Sequence, residues 1–101
     1  MIAYAKHALE VGQTIAKKNG RNLAIFIEEF KSISPKTKIR LIGHSLGSQV
    51  ILSTVERLAT NHQNIIESAH FFGASIKSDV PSSKKYGSLL HKVIKGKIVN
   101  Y

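Results

Sequence analysis

Residues 38–58, KIRLIGHSLGSQVILSTVERL, constrain the fold more than any other stretch of this chain. They read as a short strand, a tight turn and an amphipathic helix. Ile39-Arg40-Leu41-Ile42 is rich in branched apolar side chains and short enough for a buried parallel strand. Leu46, Val50, Ile51, Val55, Leu58 and Ala59 recur at steps of three and four, which makes one broad apolar face of a helix. Between the two lies Gly43-His44-Ser45-Leu46-Gly47, a Gly-x-Ser-x-Gly motif in the strand–turn–helix setting that gives such a motif meaning.

The spacing has a chemical reason. A serine at the tip of a sharp strand-to-helix turn takes a strained backbone conformation, and the neighbouring chain passes close to it, so the flanking positions favour glycine. Gly43 and Gly47 are expected to meet that need, with the His44 side chain directed away from the serine hydroxyl. The turn lifts Ser45 above the carboxyl end of the strand, and the Leu46 N–H, at the positive end of the following helix, can face a developing oxyanion. Ser45 is therefore the candidate nucleophile and the Leu46 amide the candidate oxyanion donor. The bland alternative is a glycine-rich turn that carries an ordinary serine.

Length and charge bound what surrounds this motif. At 101 residues with a 43% hydrophobic fraction, the chain allows one globular domain over residues 1–101 with a small core. Without cysteine there are no disulfides and no thiolate metal sites, and no cofactor or metal motif is present. The longest apolar run, residues 23–27, falls far short of the roughly 20 residues that cross a bilayer. The amino-terminal MIAYAKHALEVG also lacks the pattern of a secretory signal. A cytoplasmic protein, at most peripheral at a membrane, is the expectation. The net charge of +9 favours polyanions. Along the sequence the basic residues are spread out, densest at Lys17, Lys18 and Arg21 and at Lys84, Lys85, Lys92, Lys95 and Lys97. Aromatic residues do not interleave them in a stacking pattern and no nucleic-acid module is present, so an anionic membrane surface fits better than nucleic acid.

The rest of the chain has an α/β rhythm. Ala5, Ala8, Leu9, Gly12, Ile15 and Ala16 form a small-residue helical stripe that Asn19-Gly20 is expected to stop. A second helix follows over residues 21–33, with Leu23, Phe26, Ile27, Phe30 and Ile33 as its buried stripe and Ser34-Pro35 as its end. His7 and His62 read as surface histidines. After the motif helix, residues 65–72 read as a strand parallel to the first, because strand–helix–strand crossovers are right-handed and parallel. Leu89, Leu90, Val93 and Ile94 suggest a further helix, and residues 97–101 a third strand. A chain that ends on a strand reads as a partial domain.

With these pieces in view, GHSLGS preceded by a helix and by KIRLI resembles the α/β-hydrolase superfamily of serine esterases and lipases. SAHFFGAS and GKIVNY are similar to one branch of it, the hydrolase-like family that includes the transmembrane and coiled-coil domain-containing proteins. The resemblance implies a parallel sheet flanked by helices, part of a three-layer αβα fold. It also implies a catalytic acid and a histidine beyond Tyr101, and a second oxyanion donor before Met1. Within the chain, Asp79 and His91 stand in the order Ser, Asp, His, although His91 falls inside a helical pattern. Three readings compete: a serine hydrolase acting on small-molecule or lipid esters and thioesters, an inactive hydrolase-like fragment or interaction module, and a basic nucleic-acid-binding protein.

Overall fold

A computed structural model describes the backbone of residues 2–72 and 84–101 and the side chains of residues 14–72 and 86–101. The elements run α1 (Ile2–Ile33), β1 (Arg40–His44), α2 (Leu46–Leu58), β2 (Ser68–Phe72), α3 (Lys84–Val93) and β3 (Ile98–Asn100). The strands form one sheet in the order β1-β2-β3, and both pairs are parallel. Leu41 lies opposite Ala69, Gly43 opposite Phe71, and Ala69 opposite Ile98. This is the α/β architecture that the short apolar strands and intervening helices imply.

One core holds the layers together. Ala24 and Ile27 from α1, Ile51, Val55 and Leu58 from α2, and Leu90 and Val93 from α3 pack with Leu41, Ala69 and Phe71 of the sheet. The apolar periodicity of α2 places these side chains on the sheet, and area removed from water supplies most of the stabilisation. All three helices therefore share one sheet face. Of the three layers expected, the described residues supply two. On the other face Ile42 is 71% exposed. There Phe72 and Tyr101 stack with ring centroids 4.1 Å apart and 4° between planes. β1 accordingly alternates in burial instead of being buried on both sides as its apolar run suggests. Among the described residues no helix is long and apolar enough to cross a membrane.

The largest departure from expectation is α1. Asn19-Gly20 does not stop it, and a single helix runs from Ile2 to Ile33. Gly20 is instead the point where α1 and α2 touch. A Cβ there would lie 2.5 Å from the Ser53 Cβ and 2.9 Å from the Val50 carbonyl oxygen. The Thr54 hydroxyl reaches the Gly20 carbonyl oxygen at 3.2 Å, and the Ser53 hydroxyl donates to the Lys17 carbonyl oxygen at 3.2 Å. The glycine serves close approach and not a left-handed cap. In an open helix, Gly→Ala gains about 1 kcal/mol. Here Gly20→Ala is expected to lose about 1–3 kcal/mol, because the new methyl meets main chain. Urea denaturation read by circular dichroism checks the sign.

The stripe assigned to residues 21–33 is also only half buried. Ile27 is buried, but Phe26 is 59% and Ile33 85% exposed, and Phe30 lies beside Phe26 with ring centroids 6.0 Å apart. Ala24 takes the inward position that the sequence reading had not given it. Of the earlier stripe, Ala16 is buried while Ile15 is exposed; the side chains of Ala5, His7, Ala8, Leu9 and Gly12 lie outside the described set. His62 is not a free surface group either, since its Nε2 lies 2.7 Å from the Glu28 carboxylate and ties the loop after α2 to α1.

Candidate functional site

Ser45 stands alone between β1 and α2, so the turn is a single residue. The strand runs two residues beyond the expected 39–42, through Gly43 and His44, and α2 begins at Leu46. Reversing direction within one residue forces an unusual backbone. Ser45 has φ 56° and ψ −120°, in the region that side-chain-bearing residues rarely occupy. Asn64, with φ 53°, is the other positive-φ residue apart from glycine among the described residues.

The surrounding contacts over-determine that strain. The Ser45 N–H donates to the Phe72 carbonyl oxygen at 3.1 Å, which carries the sheet pairing into the turn. The Ser48 N–H donates to the Ser45 carbonyl oxygen at 3.0 Å, and the fully buried Ser48 hydroxyl reaches back to the Gly43 carbonyl oxygen at 3.4 Å. Phe72 and Ser48 are supports that the motif alone did not single out. Phe72 was visible only as the end of the next strand, and Ser48 only as the residue after the second glycine.

The two glycines of the motif are not equivalent. A Cβ on Gly43 would lie 2.7 Å from the Ile51 Cδ1 and 2.9 Å from both the carbonyl carbon and oxygen of Gly47. A Cβ on Gly47 would meet nothing within 4 Å. Close approach therefore constrains Gly43, while Gly47 contributes its main chain to that contact; the expectation that both positions exclude a side chain holds for the first only.

Chemically, the turn leaves two groups uncommitted. The Ser45 hydroxyl does not cap α2 and makes no hydrogen bond among the described residues. The Leu46 N–H, first in α2, takes no acceptor among them. Both sit at the carboxyl end of a parallel strand, where open α/β sheets place their ligands.

The described histidines lie elsewhere. His44 is exposed on the sheet face away from the helices. His70, in β2, has its ring nitrogens 3.0 Å from the Ser68 hydroxyl and 3.3 Å from the Tyr101 hydroxyl. His91 is exposed in the last turn of α3. That end of α3 lies at the start of β2, because the Asn64 N–H donates to the Lys92 carbonyl oxygen at 2.9 Å and the Ile66 N–H to the Val93 carbonyl oxygen at 3.1 Å. His91 is thus at the amino ends of the strands, opposite Ser45, and the Ser45–Asp79–His91 arrangement is not formed; Asp79 lies outside the described residues. No group of three or more His, Cys, Asp or Glu among the described residues has the placement to hold a metal ion.

The profile of a family described as a protein of unknown function, DUF726, matches residues 5–101. The chain belongs to the DUF726 family. No curated protein and no solved structure matches it. The Ser45 turn, the parallel sheet and the three helices of this DUF726 chain fall within the matched span, apart from residues 2–4 of α1.

Proposed function

We propose that this DUF726 chain carries the nucleophile of a serine hydrolase that acts on carboxylic esters or thioesters. The Ser45 backbone supports the reading most: φ 56° and ψ −120° at a one-residue turn between a parallel strand and a helix, with the hydroxyl making no hydrogen bond among the described residues. A strained residue at such a turn is held there by the cost its neighbours bear, and a free hydroxyl at the positive end of a helix is a use that accounts for the cost. The Ser45 Oγ attacks the carbonyl carbon while a base takes its proton. The carbonyl oxygen, gaining the charge, accepts a hydrogen bond from the Leu46 N–H. Collapse of the tetrahedral species expels the alcohol or thiol and leaves an acyl-serine for water to cleave. The base comes from outside the described residues.

A second reading, a hydrolase-like module without turnover, draws on the absence of a hydrogen bond from any described histidine to the Ser45 hydroxyl. Both readings share the reactive turn, and labelling separates that turn from an ordinary serine loop. After incubation with a fluorophosphonate and with imidazole as an added base, peptide mapping is expected to find the label on Ser45 in preference to the exposed Ser32 and Ser88. Label spread evenly over exposed serines would remove the nucleophile assignment.

A further inference from the structure

Basic residues that are scattered in the sequence are gathered by the topology. In a parallel sheet every crossover returns to the same end, so the segments that lead into the strands meet at one pole. Lys36 and Lys38 lie in the α1–β1 connection, Arg40 opens β1, and Lys95 and Lys97 lie in the α3–β3 connection. All five are exposed. Two adjoining hollows of about 300 and 400 Å³ bring them together, the first lined by Lys36, Lys38 and Lys95, the second by Arg40 and Lys97. Among the described residues Glu67 is the single carboxylate lining either hollow. Among the described residues none of the five cations is in ion-pair contact with a carboxylate.

An apolar tip stands beside this charge. α1 ends at the same pole with Ile33, 85% exposed. The turn that follows is fixed on the helix: the Ser34 N–H donates to the Phe30 carbonyl oxygen at 2.9 Å, the Thr37 N–H to the Ser34 carbonyl oxygen at 3.2 Å, and the Lys31 ammonium to the carbonyl oxygens of Pro35 and Thr37. Lys36 is thereby held outward next to an isoleucine that faces water. Among the described residues no phenylalanine, tyrosine or tryptophan lines these two hollows, while Phe26 and Phe30, exposed beside Lys38 and Arg40 in a third hollow, extend the apolar rim from Ile33 along α1. Lysines around a protruding aliphatic side chain match a bilayer that is negative at its surface and apolar just below.

We propose that the amino-end pole of the sheet, formed by Lys36, Lys38, Arg40, Lys95 and Lys97 with Ile33 at its rim, docks on an anionic lipid bilayer. Ser45, at the carboxyl ends of the strands, then faces away from that surface. On the hydrolase reading this means that the ester comes from the aqueous side, and docking itself does not depend on that reading.

Sedimentation of the whole chain with vesicles at low salt tests the docking. Vesicles enriched in phosphatidylserine are expected to carry the chain down, and phosphatidylcholine vesicles to leave it in solution. Replacing Lys36, Lys38, Lys95 and Lys97 by Gln should lower partitioning by about fivefold per lysine. A variant with Lys17, Lys18, Arg21 and Arg57 changed to Gln, equal in charge, should lose far less. Ile33→Ser should weaken vesicle binding while binding of a single-stranded oligonucleotide stays the same. Equal losses from the two quadruple variants, or vesicle binding indifferent to Ile33→Ser, would overturn the proposal.

Discussion

Gly43→Ala should lower the stability of the chain by about 2–3 kcal/mol, the overpacking range, while Gly47→Ala leaves it unchanged or raises it by up to about 1 kcal/mol. The difference follows from where each methyl would go. At Gly43 it lands 2.9 Å from the main chain of Gly47, so the turn itself must open, and the Ile51 side chain at 2.7 Å can only partly give way. At Gly47 it enters open space on a helix, where alanine is the better residue. For a domain of this size about 1 kcal/mol moves Tm by roughly 4–8 °C, so the Gly43 variant should melt at least 8 °C or so below the parent. Gly43→Val adds two more methyl groups at the same spot and, against a total stability of about 5–15 kcal/mol, should leave little folded protein at room temperature. A thermal melt followed by circular dichroism reads all three variants. Equal losses from the two alanine substitutions would mean that the turn is packed differently from the geometry described.

Much of the architecture was legible because local and tertiary signals agree. The α2 stripe of Ile51, Val55 and Leu58 is both helical in period and buried. The short runs at β1 and β2 became parallel neighbours because a helix must cross between them. The strained serine was legible too, from the glycines that flank it between an apolar strand and a helical stripe, although the strand runs on through His44 and leaves a single residue to make the turn.

What was not legible depended on partners. Gly20 looks like a helix stop until α2 lies against it; its backbone stays helical because the missing side chain is needed for contact with Ser53 and Val50. Phe26 and Ile33 repeat at core spacing yet are exposed, because Ala24 and Ile27 already fill the contact with the core. Ile42 continues an apolar run on a sheet face that the described helices do not cover. The basic pole was hidden for the same kind of reason. Lys38 and Lys97 are far apart in sequence, and only the common sense of the two crossovers brings their connections to one end. His91 shows the converse. Its order after Ser45 and Asp79 suits a triad, but the direction of α3 carries it to the pole opposite Ser45.

The central proposal is that Ser45 attacks a carbonyl with a base that no described residue supplies. An unassisted serine hydroxyl is a poor nucleophile, and a positioned base contributes about 10²–10⁴ in rate. Without additives, the chain and its Ser45→Ala variant should therefore hydrolyse short p-nitrophenyl esters at the same background rate. Free imidazole can stand in for the base, less effectively than a tethered histidine because it is not held in place. With imidazole present, turnover by the parent chain should exceed that of Ser45→Ala by about tenfold or more, the low end of what a base supplies. The decisive measurement is this difference between parent and Ser45→Ala as imidazole is raised. A gap that opens with imidazole supports the account. Equal rates at every imidazole concentration would contradict the nucleophile assignment, and robust Ser45-dependent turnover without imidazole would mean that the chain itself already supplies a base to Ser45.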